Sequence, residues 1–315
     1  MSFPQPAPRL ESVEERGTVK TLVLGAEGFI GRAVCHVLGD RDDVFVGART
    51  CRFTARRTQY VDLLQPSSIA AALAKVRPDV VINCAGVVTA RGIPTNTAMT
   101  GNLLQTVLNS GIGIRSIVVC GSAAAYGPVR HADLPVHESS PLGALSLYGV
   151  DKVREESLGR LYRYSFGLPV VTARIFNPLG AGMPVQHILP SVCRQLQQWR
   201  SGRRERLQVT RLDSVYDYLS AADVARALCA LAYGQPKEFA YNVGSGQGIS
   251  NGALLQRVFT LAGFRGAPPV DELNSTPDPP DAGRADTTAI NFEFGWAPEV
   301  ALNDSIMEVL NETAQ

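Results

Sequence analysis

The sequence predicts an α/β fold, a doubly wound parallel sheet with a smaller, discontinuous C-terminal substrate lobe. Three observations predict it. Short apolar runs near 19–24, 44–47, 80–84, 116–121 and 169–174 alternate with helical stretches near 30–38, 67–76, 97–110 and 147–165, and that alternation belongs to a parallel sheet covered on both faces. Gly25, Gly28 and Gly31 follow the first run at three-residue spacing. After Phe176 the rhythm changes, as Pro178, Gly180, Gly182, Pro184 and Pro190 break the alternation. With 315 residues, 45% of them hydrophobic, the chain can build one large unit and a smaller attached lobe. The expected division is a flexible arm over 1–17, a sheet domain over 18–176 plus about 214–243, and a lobe made of 177–213 and 244–315. Asp278-Pro-Pro-Asp is expected to be a surface loop by its turn chemistry.

The first element is the most specific. Thr21 to Leu24 reads as a buried strand, Gly25 as the tight turn after it, and Gly31 as the point where the next helix packs close to the strand. Gly28 lets the backbone approach a pyrophosphate, and the helix N-terminus offers free N–H groups and a partial positive charge to that anion. This is the pattern of a Rossmann-type nucleotide-binding unit. Further along, Tyr148 and Lys152 stand four apart and share one helix face. An ammonium beside a phenol favours the phenolate, which makes the tyrosine a usable proton donor or acceptor near neutral pH. Ser122, at the end of another predicted strand, can hold a substrate oxygen beside them.

These pieces together resemble the extended short-chain dehydrogenase/reductases, also described as the NAD(P)-dependent epimerase/dehydratase family, from about residue 19 to about 312. Gly25-x-x-Gly28-x-x-Gly31 resembles the family's cofactor turn, with Glu27, Phe29 and Ile30 inside it. Val61-Asp62-Leu63 resembles the segment that meets the adenine, and Asn83-Cys84-Ala85-Gly86 the strand end beneath the cofactor. Asn96 and Asn102-Leu-Leu104 match the following helix. Gly121-Ser-Ala-Ala-Ala-Tyr-Gly127 resembles the catalytic serine strand, and Ala173-Arg-Ile-Phe-Asn-Pro-Leu-Gly180 the segment that opens the substrate lobe. Asp217 to Val224, Tyr241 to Gly246 and Phe294-Gly-Trp-Ala-Pro298 complete the series. Within the family, the nearest look is to reductases of 4-keto-6-deoxy nucleotide sugars. The resemblance implies reduction of a ketone to a secondary alcohol by hydride transfer, with Tyr148 as proton donor, Lys152 supporting it and bonding the nicotinamide ribose, and Ser122 orienting the carbonyl. Ser122, Ala123, Asn177 and Tyr216 are the expected substrate contacts. A homodimer through the helices near 97–110 and 147–165 is also implied.

The end of the second strand, Val44 to Arg52, carries Arg49, Thr50 and Arg52 and no acidic residue. Cations there favour a 2′-phosphate through charge-assisted hydrogen bonds, so NADPH is expected over NADH. Arg32 in the first helix is a further candidate for that phosphate. Two departures from the nucleotide-sugar pattern stand out. Tyr216 occupies the place where such members carry Arg, and Ser275 to Pro280 holds no Arg. Arg211, Arg203, Arg204, Arg206 and Arg284 are candidate replacements. The alternative is an uncharged natural-product (polyketide-type) ketone, in a pocket lined by Met183, His187, Trp199, Tyr216 and Tyr218. Two other readings stay open: a nucleotide-sugar epimerase or dehydratase, and a catalytically idle NADP-binding sensor. Asp151, between Tyr148 and Lys152, is expected to face away from the chemistry.

Composition narrows the rest. The net charge is +1 and the pI about 7.6, with no broad electrostatic footprint for nucleic acid or anionic membrane. No apolar run reaches membrane-spanning length, and residues 1–17 show no secretory signal. The six cysteines form no CxxC pair, and no metal-ligand spacing joins them to the four histidines. Reduced thiols in a cytoplasmic protein are the expectation.

Overall fold

The computed structural model describes residues 18–50, 57–88, 95–264, 266, 268–273 and 283–314. Arg52, the 1–17 arm and the 275–280 loop lie outside the described residues.

In chain order the elements are β1 (Thr21–Leu24), α1 (Phe29–Leu38), β2 (Val44–Ala48), β3 (Arg57–Tyr60), α2 (Pro66–Val76), β4 (Val80–Asn83), α3 (Thr95–Ser110), β5 (Ser116–Ser122), α4 (Leu147–Phe166), β6 (Val170–Ile175), β7 (Asn177–Leu179), α5 (Ile188–Arg200), β8 (Leu207–Val209), β9 (Val215–Ser220), α6 (Ala221–Tyr233), β10 (Ala240–Val243), β11 (Gly248–Ser250), α7 (Asn251–Leu261), β12 (Val270–Glu272), α8 (Thr288–Phe294) and α9 (Leu302–Ala314). Seven strands form one sheet in the order β10-β6-β5-β4-β1-β2-β3, and every pairing in it is parallel. The chain order reverses direction between β1 and β4, so the C-terminal ends of those strands form the crevice where such sheets bind ligands.

Alternation of side chains across the pleat decides the two layers. Val23, Ile82, Val118 and Val171 point to the face covered by α1 and α6, where Val34 and Leu228 meet them. Leu22, Leu24, Val81, Ile117 and Val119 point to the other face, packed under Ile69 and Leu73 of α2, Leu103 and Leu104 of α3, and Tyr162 of α4. Strands buried on both faces must be apolar throughout, hence the continuous runs read from the sequence. The edge strand β3, Arg-Thr-Gln-Tyr, is polar and largely exposed, and for that reason it left no apolar run to read.

The second lobe has its own small core. Leu189, Val192, Cys193 and Leu196 of α5 pack with Leu207, Val209, Leu254, Val258 and Phe259, and with Ile306 and Val309 of α9. Of the returning segment 214–243, only β10 joins the large sheet. β9 instead lies between β7, in parallel, and β11, antiparallel, in a three-stranded sheet. α6 packs against α1 beneath the large sheet.

Candidate active site

The glycine turn sits between β1 and α1 with the backbone the motif demands. Gly25 has φ +68°, and a Cβ there would lie 2.5 Å from the Ala85 nitrogen. A Cβ on Gly31 would fall 2.1 Å from the Gly25 oxygen. Both positions therefore exclude any side chain, and the turn lies bare against the end of β4. Gly28 is the N-cap of α1 and makes no side-chain cap bond, so the first-turn N–H groups are left for an anion. Phe29 and Ile30, half-buried, form the first turn of α1. This bed fits the pyrophosphate of a dinucleotide.

The floor beside it is tied down by asparagines. Asn83, the last residue of β4, accepts the Ala85 N–H at 3.2 Å. Asn96 accepts from the Val87 N–H at 2.9 Å and donates to the Val87 carbonyl at 3.0 Å. That fixes the Cys84-Ala85-Gly86 strip, where Gly86 lies exposed with room for a Cβ only 3.9 Å from the Lys152 Nζ. At the far end, the Asp62 carboxylate accepts from the Leu64 N–H at 3.0 Å and orders the turn into α2, while Leu63 is buried.

The turn after Ser122 packs against the start of the helix that carries Tyr148 and Lys152. Ser122 ends β5 and caps the turn that follows, accepting from the Ala124 N–H at 3.2 Å, with Ala123 beside it. Ser146, two residues before Tyr148, caps α4 by accepting the Gly149 N–H at 3.0 Å. One helical turn later, Lys152 has its Nζ 5.9 Å from the Tyr148 ring centroid. Gly149 lets α4 approach the Ser122 turn, since a Cβ there would lie 2.4 Å from the Ala124 carbonyl oxygen. The Lys152 Nζ donates to the Cys120 carbonyl at 2.8 Å and to Glu155 at 2.7 Å. Burial works against its charge, but Glu155 and Tyr148 outweigh that and hold its pKa above the ordinary lysine value.

Several supporting residues were not singled out from the sequence. Glu155 is one, a carboxylate 2% exposed against the Lys152 ammonium. Arg174 is another, 1% exposed, paired with Glu156 at 2.6 and 2.8 Å and donating to the Tyr126 hydroxyl and the Glu138 carbonyl, both at 2.7 Å. Only their helical and strand registers hinted at burial, and charged residues in those registers read as surface. Asp151 faces α3. Its carboxylate accepts the Asn96 and Thr97 N–H groups at 2.9 and 3.1 Å and the Thr97 hydroxyl at 2.6 Å, pinning the start of α3 to α4.

On the adenosine side the end of β2 itself holds no acid, and Glu27 reaches over from the glycine turn, where its carboxylate accepts from the Thr50 hydroxyl. A glutamate inside the glycine turn, aimed at the β2 end, was the available signal. Arg32 was a candidate phosphate ligand, but its guanidinium donates to the Glu27 carbonyl at 3.0 Å and the Gly182 carbonyl at 3.1 Å. It ties the glycine turn to the second lobe. Arg49 and Thr50 are exposed.

In the second lobe, Asn177 donates to the Asp217 carbonyl at 3.2 Å. Tyr216 packs edge-on to Tyr218 at 6.0 Å between centroids. The Tyr218 hydroxyl donates to Asn251 at 2.8 Å, Met183 is buried, and Trp199 packs edge-on to Phe264, so these three belong to the lobe core. His187 is the N-cap residue of α5, and burial lowers its pKa. Among the candidate replacement arginines, Arg206 pairs with Asp271 at 2.6 Å, Arg203 donates to Ser201 at 2.8 Å, Arg204 donates to Gln198 at 3.1 Å, and Arg284 is exposed. No group of three or more metal-ligating side chains occurs among the described residues, and no helix there is long and apolar enough to cross a membrane.

The profile of the NAD dependent epimerase/dehydratase family matches residues 21–244. A GDP-6-deoxy-D-mannose reductase of Pseudomonas aeruginosa is 28% identical over 94% of this chain and 97% of its own length. A UDP-glucose 4-epimerase of Lacticaseibacillus casei is 30% identical over 62% of each. Among solved structures, RMD from Pseudomonas aeruginosa complexed with NADPH superimposes with a TM-score of 0.80 at 26% identity, covering 94% of this chain and 99% of that one. With the glycine turn, the serine strand and the Tyr148–Lys152 helix face brought together at one end of the sheet, the chain belongs to the NAD dependent epimerase/dehydratase family, the extended short-chain dehydrogenase/reductases, and is an NAD(P)-dependent oxidoreductase.

Proposed function

We propose that the protein is an NADPH-dependent ketoreductase that reduces a 4-keto-6-deoxy nucleotide sugar to the corresponding alcohol. The observation that carries this reading is the likeness along almost the whole chain to a GDP-6-deoxy-D-mannose reductase, together with an intact Ser122, Tyr148 and Lys152 beside the glycine turn. The bound nicotinamide would supply the hydride. Ser122 holds the substrate carbonyl oxygen by its hydroxyl, Tyr148 gives that oxygen a proton as it becomes an alkoxide, and Lys152 keeps the phenol oriented and steadies the charge. Arg49 supports a 2′-phosphate, and so does the NADPH of the Pseudomonas structure. Glu27 beside Thr50 opposes it. Asn177, the first residue of β7, is the proposed sugar contact from the second lobe. A homodimer through α3 and α4 is part of the proposal, supported by Leu161 and Tyr164 exposed on α4.

The test is to supply a GDP-linked 4-keto-6-deoxy sugar with NADPH and follow NADPH absorbance, with GDP, UDP, dTDP and CDP titrated in parallel by calorimetry. Net oxidation of NADPH and binding of one nucleotide are expected. In Tyr148→Phe, turnover should fall by about 10²–10⁴-fold with NADPH affinity nearly intact. The epimerase reading is favoured by the Lacticaseibacillus relative. It predicts tightly held oxidised cofactor on purification and no net NADPH consumption. Absence of both turnover and binding of any nucleotide would move the substrate to an uncharged ketone.

A further inference from the structure

Glu155 has no part in the proposed reaction, yet it is the side chain in contact with Lys152. The Lys152 ammonium has three N–H donors. One goes to the Cys120 carbonyl at 2.8 Å, one to the Glu155 Oε2 at 2.7 Å, and the third is left for the cofactor side. The other Glu155 oxygen accepts from the Thr100 hydroxyl of α3 at 2.5 Å, and the Asn83 amide at the end of β4 donates to that hydroxyl at 3.4 Å. A buried chain of polar groups thus runs from the floor of the cofactor bed through α3 and α4 to the reacting face of β5. Lys152 is 4% and Glu155 2% exposed.

Neighbouring charges are committed elsewhere. Glu156 is paired with Arg174 and Arg160, and Asp151 with the first turn of α3. The remaining ionisable groups around Lys152 are Tyr148 on α4 and Cys120 on β5, with the Cys84 thiol of the β4 end against Cys120. From α3 the facing groups are Asn96 and Thr100, both uncharged. Among the described residues, Glu155 is therefore the one carboxylate in contact with the catalytic ammonium.

We propose that Glu155 is a positioning residue that anchors the Lys152 ammonium at the end of β5 and limits how much of its positive charge reaches the Tyr148 phenol. Two buried opposite charges in contact act on a third group as a dipole, and the field of a dipole falls off faster than that of a lone cation. An unpaired Lys152 would favour the phenolate strongly. Paired with Glu155, it pulls less strongly on the phenolic proton, and the protonated phenol is the form that gives a proton in reduction. An enzyme that takes a proton from an alcohol needs the opposite. The inference rests on the proposed roles of Tyr148 and Lys152, and it ties their environment to the reductive direction.

The experiment needs no substrate. Protein labelled with ¹³C at tyrosine Cζ is titrated by NMR, with the Tyr148 resonance assigned by its absence in Tyr148→Phe. In Glu155→Gln its titration midpoint should fall by about one pH unit relative to the parent protein. Glu155→Asp, which draws the carboxylate back by one methylene, should give a smaller fall in the same direction. It carries the test if Glu155→Gln does not fold. A folded variant, by circular dichroism, whose Tyr148 midpoint stays where it was overturns the proposal and leaves Glu155 a structural ion-pair partner. Absence of ketone reduction by the parent protein would overturn the proposed function while leaving this measurement intact.

Discussion

The two lobes hold their charges in different ways. In the sheet half, buried charges come in closed sets that join elements: Lys152 with Glu155, Arg174 with Glu156, Asp151 with the first turn of α3. The second lobe relies on aromatic and apolar packing, with Tyr216 on Tyr218 and Trp199 on Phe264. Arg32 ties it to the glycine turn through the Gly182 carbonyl, and buried carboxylates, Asp217 among them, hold its loops. Asp217 accepts the Ser245 N–H and hydroxyl, both at 2.6 Å, the Gly246 N–H at 2.9 Å and the Ala285 N–H at 3.0 Å. The proposed chemistry thus lies where geometry is fixed on several sides at once, and the proposed substrate lobe is held chiefly by packing.

The difference can be broken by mutation. The largest effect is expected for Arg174→Met, which leaves the Glu156 carboxylate buried with only the part-exposed Arg160 near it. A loss of about 3–5 kcal/mol in denaturant unfolding is expected, and a loss within error of zero would show that the sheet half does not depend on its closed sets. Asp217→Ala strips one acceptor from four donors, with an expected loss of about 1–3 kcal/mol and earlier proteolysis near residues 244–246. In contrast, Tyr216→Arg should leave stability almost unchanged and tighten nucleotide diphosphate binding by about tenfold, the worth of one charge-assisted hydrogen bond. Calorimetry with GDP checks it. No gain would place the diphosphate away from β9. Glu27→Gln should raise NADPH affinity over NADH by a few-fold, since it removes a carboxylate next to the proposed 2′-phosphate site.

The same contrast explains what could be read from sequence. The glycine turn, β1, β4, β5 and the Tyr148–Lys152 face were legible because each needs a local pattern: bare backbone at Gly25 and Gly31, unbroken apolar runs in strands buried on both faces, a spacing of four on one helix. β3 was missed because an edge strand exposed to water carries no apolar signal. The partners of charged residues were missed for another reason. Glu155, Arg174 and Glu27 acquire their meaning from elements far away in the chain, and nothing local separates a buried glutamate on α4 from a solvated one. The pairing of β9 with β7 and β11 was hidden in the same way, since strand order is a long-range fact.

The smallest effect tests whether the α3–α4 clamp belongs among the closed sets at all. Burial works against the Asp151 charge, but the Thr97 hydroxyl and the Asn96 and Thr97 N–H groups outweigh it and hold its pKa below the ordinary value of 3.8. A carboxylate with a depressed folded pKa binds its proton more weakly in the native state than in the unfolded one. Its stabilising contribution is therefore fully present above about pH 4 and is lost as the pH falls through the lower, folded value. In Asp151→Asn that contribution is absent at every pH, so the difference in stability between variant and parent should be constant from neutral pH down to about 4 and then shrink. Unfolding curves taken at a series of acid pH values read this directly. A difference that stays the same through that window would mean that folding does not depress the Asp151 pKa, and that the clamp works by shape and hydrogen bonding, as the second lobe does, without drawing on charge.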